Sequence, residues 1–230
     1  MIAGIPDKKR GVERLAGIIA LLISFLVAAA IFTGLDLAPE YSNIHEDLSY
    51  LGENLVRLRM NTWIWFVNSI LVILFGPLIL MSFLPFGRSS SYLAAFLIST
   101  TGILYLIYSV YGHNLIFLVR DYLGSAGEET DIMASLAYQI MVSKTNLQLA
   151  SYTLVGLSSL ILGLLIASTG HLPRFIGWLA ILGGMIYATV GWISKEHILF
   201  TFGRLVFLVA LILLGSFLLL RGLVRKDQKT

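Results

Sequence analysis

Six apolar stretches, each long enough to cross a bilayer, take up most of this chain: residues 13–34, 61–84, 91–119, 146–168, 174–193 and 198–220. A hydrocarbon core about 30 Å thick needs roughly 20 apolar residues of helix at 1.5 Å per residue. Lipid offers backbone groups no hydrogen-bond partners, so a spanning segment must satisfy its own, and a helix of this length does so. The composition, 57% hydrophobic and 13% charged, is more apolar than a 230-residue soluble domain could bury in one core. The sequence therefore predicts an all-α fold, a polytopic membrane bundle of six transmembrane helices forming one domain over residues 1–230. The first span follows a basic segment, as a secretory signal does, but its apolar length exceeds the 7 to 15 residues of a usual signal core, so it is expected to stay uncleaved.

The charges sort by side. Lys8, Lys9, Arg10 and Arg14 precede the first span, Arg88 and Arg174 sit in short connections, and Arg221, Arg225, Lys226 and Lys229 follow the last span. By the positive-inside rule both termini are expected in the cytoplasm. The opposite side carries Asp36, Glu40, Glu46, Asp47, Glu53, Asp121, Glu128, Glu129, Asp131 and Glu196, an acidic face with little to attract nucleic acid. With no cysteine in the chain, disulfides, thiolate metal sites and cysteine nucleophiles drop out.

Two long connections lie on the acidic side. In the first, Ile44, Leu48, Leu51, Leu55 and Leu58 alternate spacings of four and three, an apolar stripe on a helix of about four turns with Ser42 as its cap. In the second, acidic Glu128, Glu129 and Asp131 precede Met133, Leu136 and Ile140. Both read as extracytoplasmic amphipathic helices that lie flat on the membrane or cover the bundle. Ser159, Gly163 and Ala167 in the fourth span, and Ala180, Gly184 and Ala188 in the fifth, place small residues four apart and predict close packing of those two helices. Gly76-Pro77 predicts a kink in the second span.

Polar groups within spans are costly and so point to structure or function. Counted at 1.5 Å per residue from the acidic side, Asn68, His113, Tyr152 and Arg204 all lie roughly 9–10 Å deep. Gln148 is one turn outside Tyr152, Tyr108 precedes His113 on its helix, and Arg57 and Lys195 stand at the mouth. Equal depth on four helices suggests an outward-opening polar cavity, with Arg204 as its cation and Asn68, His113, Tyr152, Gln148 and Tyr108 as hydrogen-bonding groups. A metal centre is not expected, since His45, His113, His171 and His197 include no pair three or four residues apart. Serine hydrolysis lacks a glycine-flanked nucleophile turn. No cofactor is indicated.

Three segments resemble a family of six-span prokaryotic membrane proteins known as domain of unknown function 4386. They are Arg14-Leu15-Ala16-Gly17, Asn54-Leu55-Val56-Arg57-Leu58, and Leu162-Gly163-Leu164-Leu165 followed by Gly170-His171-Leu172-Pro173-Arg174-Phe175-Ile176-Gly177. The resemblance implies six spans in a prokaryotic cytoplasmic membrane, no established activity and no catalytic residues to carry over. Many relatives carry an acidic residue where this chain has Asn68, which argues against a proton-linked role at that position.

The leading expectation is non-enzymatic binding of a small anionic or amphiphilic molecule, such as a lipid headgroup, in the outward-facing cavity, with membrane lipids as surroundings. The alternatives are an accessory subunit held to a membrane-protein partner, and an intramembrane enzyme or transporter.

Overall fold

A computed structural model describes residues 7–35, 41–193 and 198–223, and these are entirely helical apart from short turns. The helices are α1 (Asp7–Thr33), α2 (Ile44–Glu53), α3 (Leu55–Phe83), α4 (Arg88–Gly124), α5 (Glu128–Thr169), α6 (Arg174–Ile193) and α7 (Ile198–Leu223). By length and apolarity α1, α3, α4, α5 and α7 are long enough to cross a membrane, and α6 is a shorter apolar helix beside them. The chain is thus a multi-pass, all-helical membrane bundle.

The six long helices form a ring. Each packs on the next in the order α1, α3, α4, α5, α6, α7, and α7 closes back on α1. Arg10, Arg14, Arg88, Arg174 and Arg221 gather at one end of this ring, and the acidic residues of α2, α4 and α5 at the other. These are called the basic and acidic ends below.

Helix ends follow local chemistry. Gly170 adopts φ +63°, a left-handed conformation that ends α5, with its N–H donating to Ile166 O at 3.3 Å. Pro77 sits inside α3, which continues through it to Phe83. The α5–α6 seam uses the small residues expected of it: the Ser159 hydroxyl donates to Ala180 O at 2.9 Å, and a Cβ at Gly184 would meet Gly156 O at 2.7 Å. Only glycine allows the backbones that close, and in lipid this contact supplies what hydrophobic burial supplies in water.

Two expectations need refining. The apolar stripe of the first long connection is split at Asn54, whose N–H caps α2 through Tyr50 O and Leu51 O, so Leu55 and Leu58 belong to α3. Ser42 lies in a 3-10 turn over Tyr41–Asn43 and caps nothing; Asn43 precedes α2 without a side-chain cap. The stripe itself is buried in protein, with Ile44, Leu48 and Leu51 against Leu115, Ile116 and Val119 of α4 and Ala134, Ala137 and Met141 of α5. The second amphipathic stretch is helical but continuous with the span that follows it. At 1.5 Å per residue α4 and α5 measure about 55 and 63 Å, so both project well beyond a 30 Å core. Helix α2 buttresses that projection.

Candidate functional site

All six long helices line a cavity of about 80 Å³. A water needs roughly 10–15 Å³ of such space, so several small atoms fit. The wall is mostly aliphatic and aromatic, with Ile23, Val72, Phe75, Leu162 and Leu211 typical, and no charged residue lines it. Its polar members are Asn68, Thr101, Tyr105, Ser158 and Ser159. Three of these are already satisfied: Thr101 donates to Leu97 O at 2.9 Å, Ser158 to Val155 O at 2.8 Å and Ser159 to Ala180 O. Asn68 is different. It is 1% exposed, and neither its Oδ1 nor its Nδ2 has a hydrogen-bond partner among the described residues. An unpaired buried amide is costly, and native structures keep few such groups.

Above the cavity, toward the acidic end, lies an aromatic roof. Trp65 packs on Tyr105 at 4.7 Å and on Tyr108 at 5.8 Å. Tyr152 contacts Tyr187 at 4.7 Å and Phe200 at 5.2 Å, and Tyr187 stacks between Phe200 and Phe207, both at 5.5 Å. The Arg204 guanidinium sits in this roof, 5.5 Å above the Phe200 ring, and is engaged there. Tyr105 and Phe207 belong to both roof and wall, so the two are continuous.

Residues 11–222 match the family described as Domain of unknown function (DUF4386). The chain belongs to this family. No curated protein and no solved structure matches the chain.

Of the residues singled out from the sequence of this DUF4386 protein, Asn68 alone lines the cavity. Tyr152 and Arg204 are in the roof, and Tyr108 is buried beside Trp65 with the Lys144 ammonium 4.6 Å over its ring. His113 does not join them: it is exposed on the outside of α4, edge-on to Phe117 at 5.0 Å. Gln148 is half-buried and already engaged. Arg57 is exposed, and its guanidinium caps α1 by donating to the carbonyls of Phe32, Thr33 and Gly34 at 3.2, 3.2 and 2.7 Å. Lys195 and His197 lie outside the described residues.

A second polar cluster, at the basic end of this DUF4386 bundle, was not anticipated. Glu13 of α1 is fully buried, with Oε1 3.6 Å from His171 Nε2 and Oε2 3.6 Å from Arg221 Nε of α7. These are ion-pair separations, longer than hydrogen bonds, and all four atoms lack hydrogen-bond partners among the described residues. Arg221 Nη1 donates to His171 O. The imidazole lies against Phe86 at 3.9 Å and edge-on to Phe83 at 5.2 Å. A carboxylate at 3.6 Å would by itself favour the imidazolium. Burial outweighs it, and the Arg221 and Lys9 charges add to the effect, holding His171 down at about 3 and therefore neutral. The signal available in the sequence was weak: Glu13 is a lone acid between Arg10 and Arg14, and His171 is in the most distinctive family-like segment.

Proposed function

We propose that this protein is a six-span protein of the prokaryotic cytoplasmic membrane that binds a small uncharged amphiphile in the centre of its helix ring. Helix α6 is the sixth span: its 20 residues reach about 30 Å, the thickness of the hydrocarbon core. The basic end faces the cytoplasm, following the side on which arginine and lysine collect.

The ligand reading rests on the unpaired amide of Asn68 facing an apolar cavity. Of the anionic and amphiphilic molecules expected from the sequence, an amphiphile is favoured, and an uncharged one, because the wall holds no cation and Arg204 is engaged in the roof. A buried anion without a partner would carry a desolvation cost that nothing in the wall offsets. An amide side chain both donates and accepts, so its best complement does the same: a carboxamide or a hydroxyl on a short apolar body.

Thermal unfolding of the purified protein with hexanamide, hexanol or hexane tests this. Hexanamide and hexanol are expected to raise the midpoint more than hexane does, and Asn68→Leu to erase the difference. Equal shifts from all three compounds, or a difference that survives Asn68→Leu, would exclude Asn68 as the recognition group.

A further inference from the structure

The cluster of Glu13, His171 and Arg221 joins three parts of the chain far apart in sequence: the start of α1, the α5–α6 turn and the end of α7. Nothing in the cavity reading uses it. It lies next to the part of α6 and α7 where Ile176 and Leu214 form the basic-end side of the cavity wall. The α6–α7 contact is not uniform along its length. In the acidic half it is glycine-tight, since a Cβ at Gly183 would meet Phe207 N at 2.9 Å and one at Gly203 would meet Ile186 Cβ at 2.8 Å. In the basic half the Phe175 and Phe217 rings lie 6.4 Å apart, Ile176, Leu214 and Leu218 are buried, and Arg221 of α7 reaches the carbonyl of His171 just before α6. One half is fixed by backbone packing, and the other by side chains beside the charged cluster.

We infer that Glu13 is a proton-binding site whose ionised form latches the α5–α6 turn to α1 and α7, closing the cavity at the basic end. With the carboxylate ionised, it attracts the Arg221 guanidinium, and its other oxygen lies 3.6 Å from His171 Nε2. Protonation removes the negative charge, leaves the partly buried Arg221 guanidinium without its carboxylate partner, and favours separation of α6 from α7 about the glycine-tight half. Among the described residues, Glu13 is the acid that the ion pairs of the cluster share. Lys9 of α1 lies with its ammonium 4.8 Å over Phe86, and Arg221 comes from α7. The α3–α4 turn contributes Phe83 and Phe86, and Arg14, Arg88 and Arg174 are exposed. His171 stays neutral through the range in question, so the switch is assigned to the Glu13 carboxyl.

The absence of cysteine makes a direct test possible. Ile176→Cys places one thiol on the buried wall near the latch, and Leu205→Cys places one on the exposed face of α7 as a reference. Each is reacted with N-ethylmaleimide in nanodiscs between pH 8 and pH 5. The ratio of the rate at position 176 to that at 205 cancels the thiol's own titration. This ratio is expected to rise at least tenfold as the pH falls. Adding Glu13→Gln is expected to raise it at pH 8 to the acid value and remove its pH dependence. A ratio that stays flat across the range overturns the latch without recourse to the variant. So does a pH response that persists in a folded Glu13→Gln protein. Neither outcome bears on Asn68, whose test uses ligand-dependent melting instead.

Discussion

Replacing Asn68 with leucine is expected to make the ligand-free protein more stable. The Asn68 side chain is 1% exposed, and both its polar atoms lack partners, so the folded state carries a desolvation cost that hydrogen bonding does not return. Removing such a group is worth about 1–3 kcal/mol. Leucine is also the better helix former by a few tenths of a kcal/mol and matches the aliphatic wall formed by Val72, Leu162 and Leu211. Its two methyl groups replace the amide oxygen and nitrogen, and the adjoining space of about 80 Å³ accepts their larger volume without strain. The expected gain of about 1–3 kcal/mol corresponds to roughly a 5- to 150-fold shift in the unfolding equilibrium. The assay is reversible denaturation in mixed micelles, comparing wild type with Asn68→Leu and Asn68→Ala. Alanine removes the same polar atoms but enlarges the cavity, so it is expected to gain less. A leucine variant less stable than wild type would show that Asn68 is satisfied within the fold, and the case for it as a ligand group would fall. The combination of higher stability with lost ligand response is what a binding residue produces, because function keeps a group there that stability alone would remove.

Three further outcomes follow from the geometry. His171 is held at about 3 in the folded protein against an unfolded value near 6.5, so the unfolded chain binds the extra proton first and stability is lost as pH falls below about 6.5. At pH 5 the loss is about 2 kcal/mol from 1.36 kcal/mol per unit, and denaturation midpoints of wild type and His171→Phe at pH 7.5 and 5 should differ by that amount. Gly184→Ala would push its Cβ to 2.7 Å from Gly156 O and is expected to cost about 1–3 kcal/mol, while Gly11→Ala, with open space around it, should be neutral or stabilising in the same denaturation assay. Arg57→Ala removes the cap on α1 and should speed amide hydrogen exchange in residues 30–33 while leaving the response to hexanamide unchanged.

The spans were legible because bilayer thickness fixes a length and an apolarity that few other structures share. The α5–α6 seam was legible for a similar reason, since four-residue spacing of Ser159, Gly163 and Ala167 against Ala180, Gly184 and Ala188 has one evident use in lipid. The polar layer was harder, because equal depth says nothing about direction around the helix. On α4 the buried positions run Thr101, Tyr105, Tyr108, Ser109, Gly112, Leu115 and Ile116, at spacings of three and four. His113 follows Gly112 by one residue and so is turned about 100° away from it, toward the outside. On α3, Asn68 falls between Trp65 and Val72 on the buried stripe and faces the cavity. The length of α5 was obscured by its own composition: an amphipathic outer part joined to an apolar inner part reads as two helices. The cluster of Glu13, His171 and Arg221 could not be assembled from spacing, because it depends on α7 closing the ring onto α1. Arg221 read as a topology marker is still one, and it also has a buried carboxylate to face.

The ring geometry explains why one interior holds three chemically different layers. At the acidic end, α4 and α5 project past the membrane, and the bundle there is crossed by Trp65, Tyr105, Tyr152, Tyr187 and Phe200, whose ring contacts need no water and no charge. In the middle, six helices meet around a space their side chains do not fill, and the buried Asn68 amide offers a donor and an acceptor without partners among the described residues. At the basic end the closure depends on the ionisation state of one carboxyl group. An aromatic roof opens only if several rings lose contact together, whereas a charge-held floor can be released by a single proton. A ligand of the kind proposed, apolar with one polar group, is expected to avoid the Arg204 layer and to enter at the basic end when the latch releases α6 from α7. The two tests then divide the question: melting with hexanamide asks whether Asn68 recognises the guest, and maleimide access at position 176 asks how the guest gets in.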